Sequence, residues 1–562
     1  MKRAIVFLVL LAACFTAGMF RLVSAAAEET RSVLILLDDV PETNLPYSTS
    51  GEYDRDIAVP ILSGAKGFLY KKTTQVNTWL FPVSYANGTP TLILHLEGVT
   101  DVSSVSINEI PLTDEPLSIP FQETAELRVM SKGRRGLIRL IFTTLPVIQL
   151  CPDGDLFLQR STDCTVTVAD PEYREHGFEA SVMTFEGSMS KRGRSSARFN
   201  AKHPYNFTLM KDGKKYDKSL LGLRSDSDWL VDSAYNDRSR MRNRVLMDVW
   251  HDTYRLPWNQ TLSGATKGVY VELFINDTYK GIYALGEKQD RQQLGLAKTG
   301  GKWNSLFLRT GATGNKGSSP AGFVSLGSER PEEGDALRWY NVLLKYPTDT
   351  ALANKELWQD FYDYVRLVVR GTNEEFAENI TKYADLDNLA RFWLFINAMD
   401  LSDNLRKNMA FARLDDRDER FNKFIIVPWD MDSSLGRYYS SRKSRKDELF
   451  TNRLFTRLLT ENPGNFRQIV YDDWQELREG AFALDTVMSH FDAYYAKISE
   501  AGADKREIEK YPDFKSYLKA GYTFKLNFTS EFKYIREFTE ERLQWMDKAV
   551  NRIISGDVGW IK

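Results

Sequence analysis

The stretch Ala390-Arg-Phe-Trp-Leu-Phe-Ile-Asn-Ala-Met399 constrains this chain more than any other. It is apolar on nearly every face, so the helix it predicts has to be buried in a larger body rather than laid on a surface. It delivers the chain to the polar run Asp400-Leu-Ser-Asp-Asn-Leu-Arg-Lys-Asn408. Met409-Ala-Phe-Ala-Arg413 then has strand character, Asp415 to Arg420 form a polar turn, and Phe424-Ile-Ile-Val-Pro428 reads as a second, apolar strand. This hairpin ends in Trp429-Asp430-Met431-Asp432.

The polar residues around that helix and hairpin carry the strongest chemical signal. Asp403 and Asn408 are spaced Asp-x4-Asn, as in phosphoryl-transfer catalytic loops, where the Asp takes or orients the acceptor hydroxyl proton and the Asn holds magnesium. Asp430 stands just past the hairpin, where such enzymes carry a metal-binding Asp. Magnesium takes a few hard oxygen ligands plus phosphate and water, which one Asn and one or two Asp supply. Taken alone, the spacing is weak, because Asp and Asn beside buried elements are most often caps and turn residues. The ordered set of buried helix, hairpin and Asp-x-Asp is what gives it weight.

At 562 residues the chain is too long for one ordinary domain. A formal net charge of −2 gives no reason to expect non-specific nucleic-acid binding. Lys2 and Arg3 precede an apolar run from Ala4 to Phe20, with small residues at Ser24 to Ala27, which predicts an export signal over 1–27. Three forms stay open: cleavage near Ala25 to Ala27, lipidation at Cys14 within Leu11-Ala-Ala-Cys14, or an uncleaved membrane anchor. All three put the rest of the chain outside the cytoplasm, with a membrane met only through that N-terminal lipid or signal anchor. Past the signal only Cys151 and Cys164 remain, to be read either as a short disulfide loop or as two buried thiols. Six Asn-x-Ser/Thr sequons, Asn87 and Asn276 among them, matter only in a host that glycosylates exported proteins.

Residues 28–145 are strand-like: Ser32 to Leu37, Thr91 to Leu96, Val102 to Ile107 and Gly136 to Phe142 are short β-rich runs between turn residues. They predict a small all-β, sandwich-like accessory domain used for spacing or adhesion. From 146 to about 288 strands and turns alternate, with one helix near 238–250. Beyond about 350 long amphipathic stretches predict helices, such as Asn354–Val369 and Asp447–Leu459. The expected class is α+β, with a β-rich small lobe at about 146–288, a helical large lobe at about 289–562 and a cleft between them.

Two further constellations bear charge. Ser190-Lys-Arg-Gly-Arg-Ser-Ser-Ala-Arg-Phe-Asn-Ala-Lys202 interleaves cations with small residues that let a backbone approach an anion. Lys202 lies just before the strand Tyr205 to Leu209. Asn236-Asp-Arg-Ser-Arg-Met-Arg-Asn-Arg244 has arginines able to reach phosphates, although a charged helix face is the commoner explanation. Val269 to Lys288 reads as a hairpin turning at Asn276-Asp277, with Glu287 and Lys288 at its exit.

Together these segments resemble the CotH (spore coat protein H) kinase family over about 146–555. The blocks that carry the resemblance are Arg192 to Lys202, Ser227-Asp228-Trp229 with Arg242-Asn243, Gly281 to Glu287, Asp403 to Asn408, and Pro428 to Asp432. The resemblance implies an atypical two-lobed protein-kinase fold that uses ATP and Mg2+ (or Mn2+) to phosphorylate Ser/Thr-containing proteins in spores or outside cells. It implies Asp403 as the catalytic Asp, and Asp430, Asn408 and Asp432 as metal ligands. Lys202, Arg192, Arg242 and Glu287 are then the nucleotide-binding side chains, with Phe424 in the strand position of an adenine-stacking aromatic. Arg194 departs from the Asn usual in the Arg-Gly-Asn-Ser block, which unsettles the phosphate geometry but not the metal site. The alternatives are a non-catalytic surface adhesion or structural protein on the same fold, and another phosphoryl or nucleotidyl transfer.

Overall fold

A computed structural model describes residues 32–36, 61–62 and 66–561, apart from 73–76, 84–90, 98–103, 112–116, 121–123, 132–133, 159, 194–195, 197–199, 300–303, 312–319, 328–336, 349–354, 439–441, 444–445 and 516–522. The predicted export signal with Cys14, and Arg194, lie outside the described residues. The chain divides into two compact units, one of residues up to Val147 with Val168–Met183 and Asp277–Tyr279, the other of Ile148–Thr167, Thr184–Asn276 and Lys280–Lys562.

The first unit carries strands β1 (Ser32–Leu36), β2 (Ile61–Leu62), β3 (Phe68–Lys72), β4 (Asn77–Pro82), β5 (Thr91–Glu97), β6 (Ser104–Ile107), β7 (Ile110–Pro111), β8 (Leu117–Pro120), β9 (Ala125–Ser131) and β10 (Arg134–Thr143). They form two sheets, ordered β2-β1-β5-β8 and β3-β4-β10-β9-β6-β7. Alternation along β9 and β10 puts buried Leu127, Leu140 and Phe142 on one face, where Phe142 packs against Phe81 of β4.

The next strands are β11 (Val147–Pro152), β12 (Thr162–Ala169), β13 (Val182–Lys191), β14 (Tyr205–Lys211), β15 (Lys214–Lys215), β16 (Asp228–Asp232), β17 (Gly268–Ile275) and β18 (Thr278–Glu287). Their order is β13-β12-β11-β17-β18-β16-β14-β15, and β13 also pairs with β14, so the sheet closes on itself like a barrel. Its interior is filled by Val166, Met189, Phe207, Leu209, Trp229, Val231, Leu273 and Leu285. Helix α1 (Arg242–Thr253) follows β16. Cys151, half-buried, and Cys164, buried, are not joined by a disulfide.

A second sheet comprises β19 (Leu306–Thr310), β20 (Arg338–Trp339), β21 (Val342–Tyr346), β22 (Met409–Arg413) and β23 (Ile425–Pro428), ordered β20-β21-β19-β22-β23. The predicted hairpin is β22–β23, with Met409 opposite Pro428. Helices α2 (Lys355–Arg370), α3 (Asn373–Tyr383), α4 (Leu386–Ala398), α5 (Arg453–Glu461), α6 (Phe466–Glu479), α7 (Leu484–Glu500), α8 (Ala503–Lys510) and α9 (Phe528–Ile554) make up most of the rest. The apolar stretch at 390–399 lies in α4, where Phe392, Trp393, Leu394, Phe395 and Ile396 are all fully buried. The class is α+β. One helix starts later than its periodicity predicts: Asn452 caps α5 by accepting from the Phe455 N–H at 3.2 Å. Residues 448–451 lie outside any helix or strand, and the Lys446 and Glu448 carbonyls are held by Arg542.

Candidate active site

Helix α4 ends at Ala398, and Asp400 turns the chain with a left-handed φ of +58°. Its Oδ2 accepts the Gly436 N–H at 3.0 Å, tying this turn to the loop beyond β23. Asn404, on a short 3-10 turn (Ser402–Leu405), donates to the carbonyls of Asn408 (2.7 Å) and Trp429 (2.9 Å). Trp429 N–H in turn donates to the Asn408 carbonyl at 2.9 Å. One amide therefore laces the 403–408 loop to the hairpin exit. Asn408 (φ +58°) and Asp430 (φ +57°) are also left-handed, a conformation that Asn and Asp tolerate better than other side chains.

This lacing brings the predicted catalytic and metal residues together. Asn408 Nδ2 donates to Asp403 Oδ2 at 3.0 Å and to the Asp430 carbonyl at 3.3 Å. Lys407 Nζ sits 2.9 Å from the same Asp403 oxygen. Asp403 is only 8% exposed, whereas Asp430 opens to solvent on one side with protein around the rest of its carboxyl.

Two Asp carboxyls are destabilised as anions. Asp430 is pushed up to about 6, first by its desolvated surroundings, then by Asp232 and Asp403, while Arg192 and Lys407 pull it back. Asp432 is raised well above the usual range by burial and by Asp430, Asp232, Asp237 and Asp403. Excess negative charge of this kind is what a hard divalent cation relieves, and the donors are all oxygens. Among the described residues no three His, Cys, Asp or Glu side chains gather closely enough to hold a metal by themselves. The residues fit magnesium with one or two side-chain ligands, the remaining positions falling to phosphate and water. In that fit Asp430 and Asp432 would hold the cation, with the Asn408 side-chain oxygen beside them.

Asp232, which sequence reading missed, ends β16. Its Oδ2 accepts from Asn243 Nδ2 at 3.1 Å, while Asn243 Oδ1 accepts the Met431 N–H at 3.0 Å. Asn243 thus couples the barrel rim to the backbone beside Asp430. A carboxylate closing a strand looks like an ordinary terminator in sequence, so only its partner in the Arg242-Asn243 block could have flagged it.

The expected nucleotide-binding residues divide. Arg192 reaches the site, its guanidinium 5.9 Å from the Trp429 ring centre. The other four are engaged within the fold. Lys202 has no exposed side-chain surface; its Nζ donates to Glu507 Oε1 at 2.8 Å and to the Ile282 carbonyl. Arg242 is also fully buried, paired at 2.6 Å with both Asp237 and Glu531, and it holds the Ser434 and Leu435 carbonyls. Glu287 accepts the backbone N–H groups of Arg224 (3.3 Å) and Lys267 (3.1 Å). Phe424 is 1% exposed, packed on Phe361 and Tyr364 under the Arg413 guanidinium, so no ring face is open to adenine.

The Gly281 to Glu287 block has a physical reason. Glu507 of α8 also accepts from Arg240 Nε (2.8 Å) and from the Ile282 N–H (2.9 Å). Gly281 has φ +94°, and a Cβ there would collide with Glu507 Oε2. Only glycine lets the carboxylate come this close.

A cavity of about 410 Å3 lies nearby; Lys288, Phe307, Arg309, Lys345 and Tyr346 form part of its wall, and Asp217, Asp226 and Asp290 line it too. Arg309, a second residue that the sequence did not reveal, is 5.2 Å from the Trp429 ring centre on the side of the cavity. Arg192 and Asp430 both act on its charge. The cavity and the carboxylates are therefore joined through Arg309 and Trp429.

Comparison with known families agrees with this arrangement: the model of the family described as CotH kinase protein matches residues 189–546. A search of curated proteins finds no match. No helix among the described residues is long and apolar enough to cross a membrane.

Proposed function

This chain belongs to the CotH kinase protein family, matched over well over half its length, and from that premise we propose that it is an ATP- and Mg2+-dependent protein kinase. It would transfer phosphoryl groups to Ser/Thr residues of exported or surface proteins. The observation that carries this reading is the meeting of Asp403, Asn408 and Asp430, with one Asn408 amide bonded to the other two. In this reading the barrel and the helix-rich part are the two lobes of an atypical kinase fold over 146–562, preceded by an accessory β domain over 28–145.

Each residue then has a distinct task. Asp403 accepts the proton of the acceptor hydroxyl and orients its oxygen. Lys407, 2.9 Å away, holds that carboxylate in position beside Asn408. Asn408 holds Asp403 and the Asp430 backbone at fixed separation, so the acceptor and the nucleotide are brought in line without rearrangement. Magnesium held by Asp430 and Asp432 would supply charge neutralisation at the transferred phosphoryl oxygens.

Asp403→Ala is expected to cut turnover by on the order of 10²–10⁴-fold while leaving Mg·ATP affinity close to wild type, since its partner is the acceptor. Isothermal titration beside a transfer assay checks this. Loss of nucleotide affinity in folded Asp403→Ala protein would assign Asp403 to the metal instead.

The leader supports export. A reporter active only in the cytoplasm, fused at the C-terminus, is expected to be silent, and an active one would overturn that placement.

A further inference from the structure

Among the described residues, buried cations are matched either by carboxylates or by backbone carbonyls, as Arg542 is by those of Asn397, Lys446 and Glu448. Lys202 and Arg240 share Glu507, Arg242 spans Asp237 and Glu531, and Arg506 grips Glu272 through two oxygens. Three half-buried cations near the site have neither kind of partner. Arg192, Arg309 and Lys345 make no side-chain hydrogen bond or ion pair to any described residue. Arg192 and Arg309 both lie on the Trp429 ring, and Arg309 and Lys345 both line the 410 Å3 cavity. Desolvation and their own repulsion push Arg309 down to about 10 and Lys345 down to about 8. Clustering unmatched charges out of water is costly, and an anion recovers the cost.

We infer that Arg192, Arg309 and Lys345 form the polyphosphate subsite of a nucleoside-triphosphate site, and that Lys202 is a structural residue of the barrel rather than a phosphate ligand. The inference rests on the kinase reading for what becomes of the phosphate, but not for its binding. The cation run begins beside Asp430, where the transferred phosphoryl group has to be, and ends in a cavity whose volume suits a nucleoside. The two arginine forks beside Trp429 can each engage phosphate oxygens in pairs. Lys202 cannot join them where it stands. It is enclosed by Glu507, the Ile282 carbonyl and the rings of Tyr283 and Tyr511, and leaving would strand Glu507.

The test is calorimetric titration of the full exported chain with inorganic tripolyphosphate and with Mg·ATP. Arg309→Met and Lys345→Met are each expected to weaken both ligands by on the order of 10- to 100-fold. Arg309→Lys, which keeps the charge but not the fork, should fall between and serves if the Met variant does not fold. Lys202→Met is expected to lower the melting temperature yet leave the tripolyphosphate affinity of the folded protein within about threefold. The inference is overturned if wild type binds no tripolyphosphate, if Arg309→Met and Lys345→Met bind it normally, or if folded Lys202→Met loses it. Tight binding with no phosphoryl transfer would sink the kinase reading and leave this one standing.

Discussion

Asp430→Ala is expected to lower phosphoryl transfer by on the order of a thousandfold and, unlike Asp403→Ala, to weaken the magnesium-dependent part of ATP binding. The residue stands at a left-handed turn with its backbone carbonyl held by Asn408 and the next N–H held by Asn243. Alanine leaves those backbone bonds in place, so the fold should survive and the change should be chemical. Removing one of several crowded carboxylates also relieves repulsion, and the variant may be compared with wild type for a gain in thermal stability. Asp432→Ala is expected to be milder if Asp430 is the principal ligand. A folded Asp430→Ala protein with full activity would contradict the assignment of the metal site.

The largest effect on stability is expected from Glu507→Ala. Its carboxylate is fully buried and balances Lys202 and Arg240, also almost wholly buried, while accepting the Ile282 N–H. Burial disfavours its anion, but Lys202 and Arg240 outweigh this and hold its pKa below the usual range. Removing one partner of a buried ion pair costs about 3–5 kcal/mol, and here two cations are stranded at once. Set against a typical stability of about 5–15 kcal/mol, the variant should unfold at far lower urea concentration. Glu507→Gln, which still accepts hydrogen bonds, should lose less. A urea midpoint for Glu507→Ala close to wild type would show that Lys202 and Arg240 find other partners.

The contrast between these two sites explains what sequence could reveal. Helix α4, hairpin β22–β23 and the turn at Asn276 are local: a 3.6 or 2.0 periodicity and a turn residue suffice to read them. The grouping of Asp403, Asn408 and Asp430 was legible for the same reason, since one helix, one loop and one hairpin in unbroken order place all three. Lys202 misled because its partner is remote, 305 residues further along the chain. Nothing near Lys202 signals that its charge is already matched. Arg309 and Lys345 were missed for the opposite reason: each sits in an ordinary strand, and only the fold shows that no carboxylate among the described residues forms an ion pair with it. Phe424 looked like a strand aromatic open to a ligand, but α2 supplies Phe361 and Tyr364 to cover it. Long-range pairing, rather than local propensity, decided each of these outcomes.

The central claim, transfer of the terminal phosphoryl group of ATP to a protein hydroxyl, is tested most directly by mass spectrometry. The chain is incubated with Mg2+ or Mn2+, ATP carrying heavy oxygen in its γ-phosphate, and Ser/Thr-rich acceptor proteins, with Asp430→Ala as the blank. Labelled phosphoryl groups on Ser or Thr of the chain itself or of an acceptor, absent from the blank, are the predicted result. A nucleotidyl adduct in their place, or no label on any protein while ATP is demonstrably bound, would contradict it.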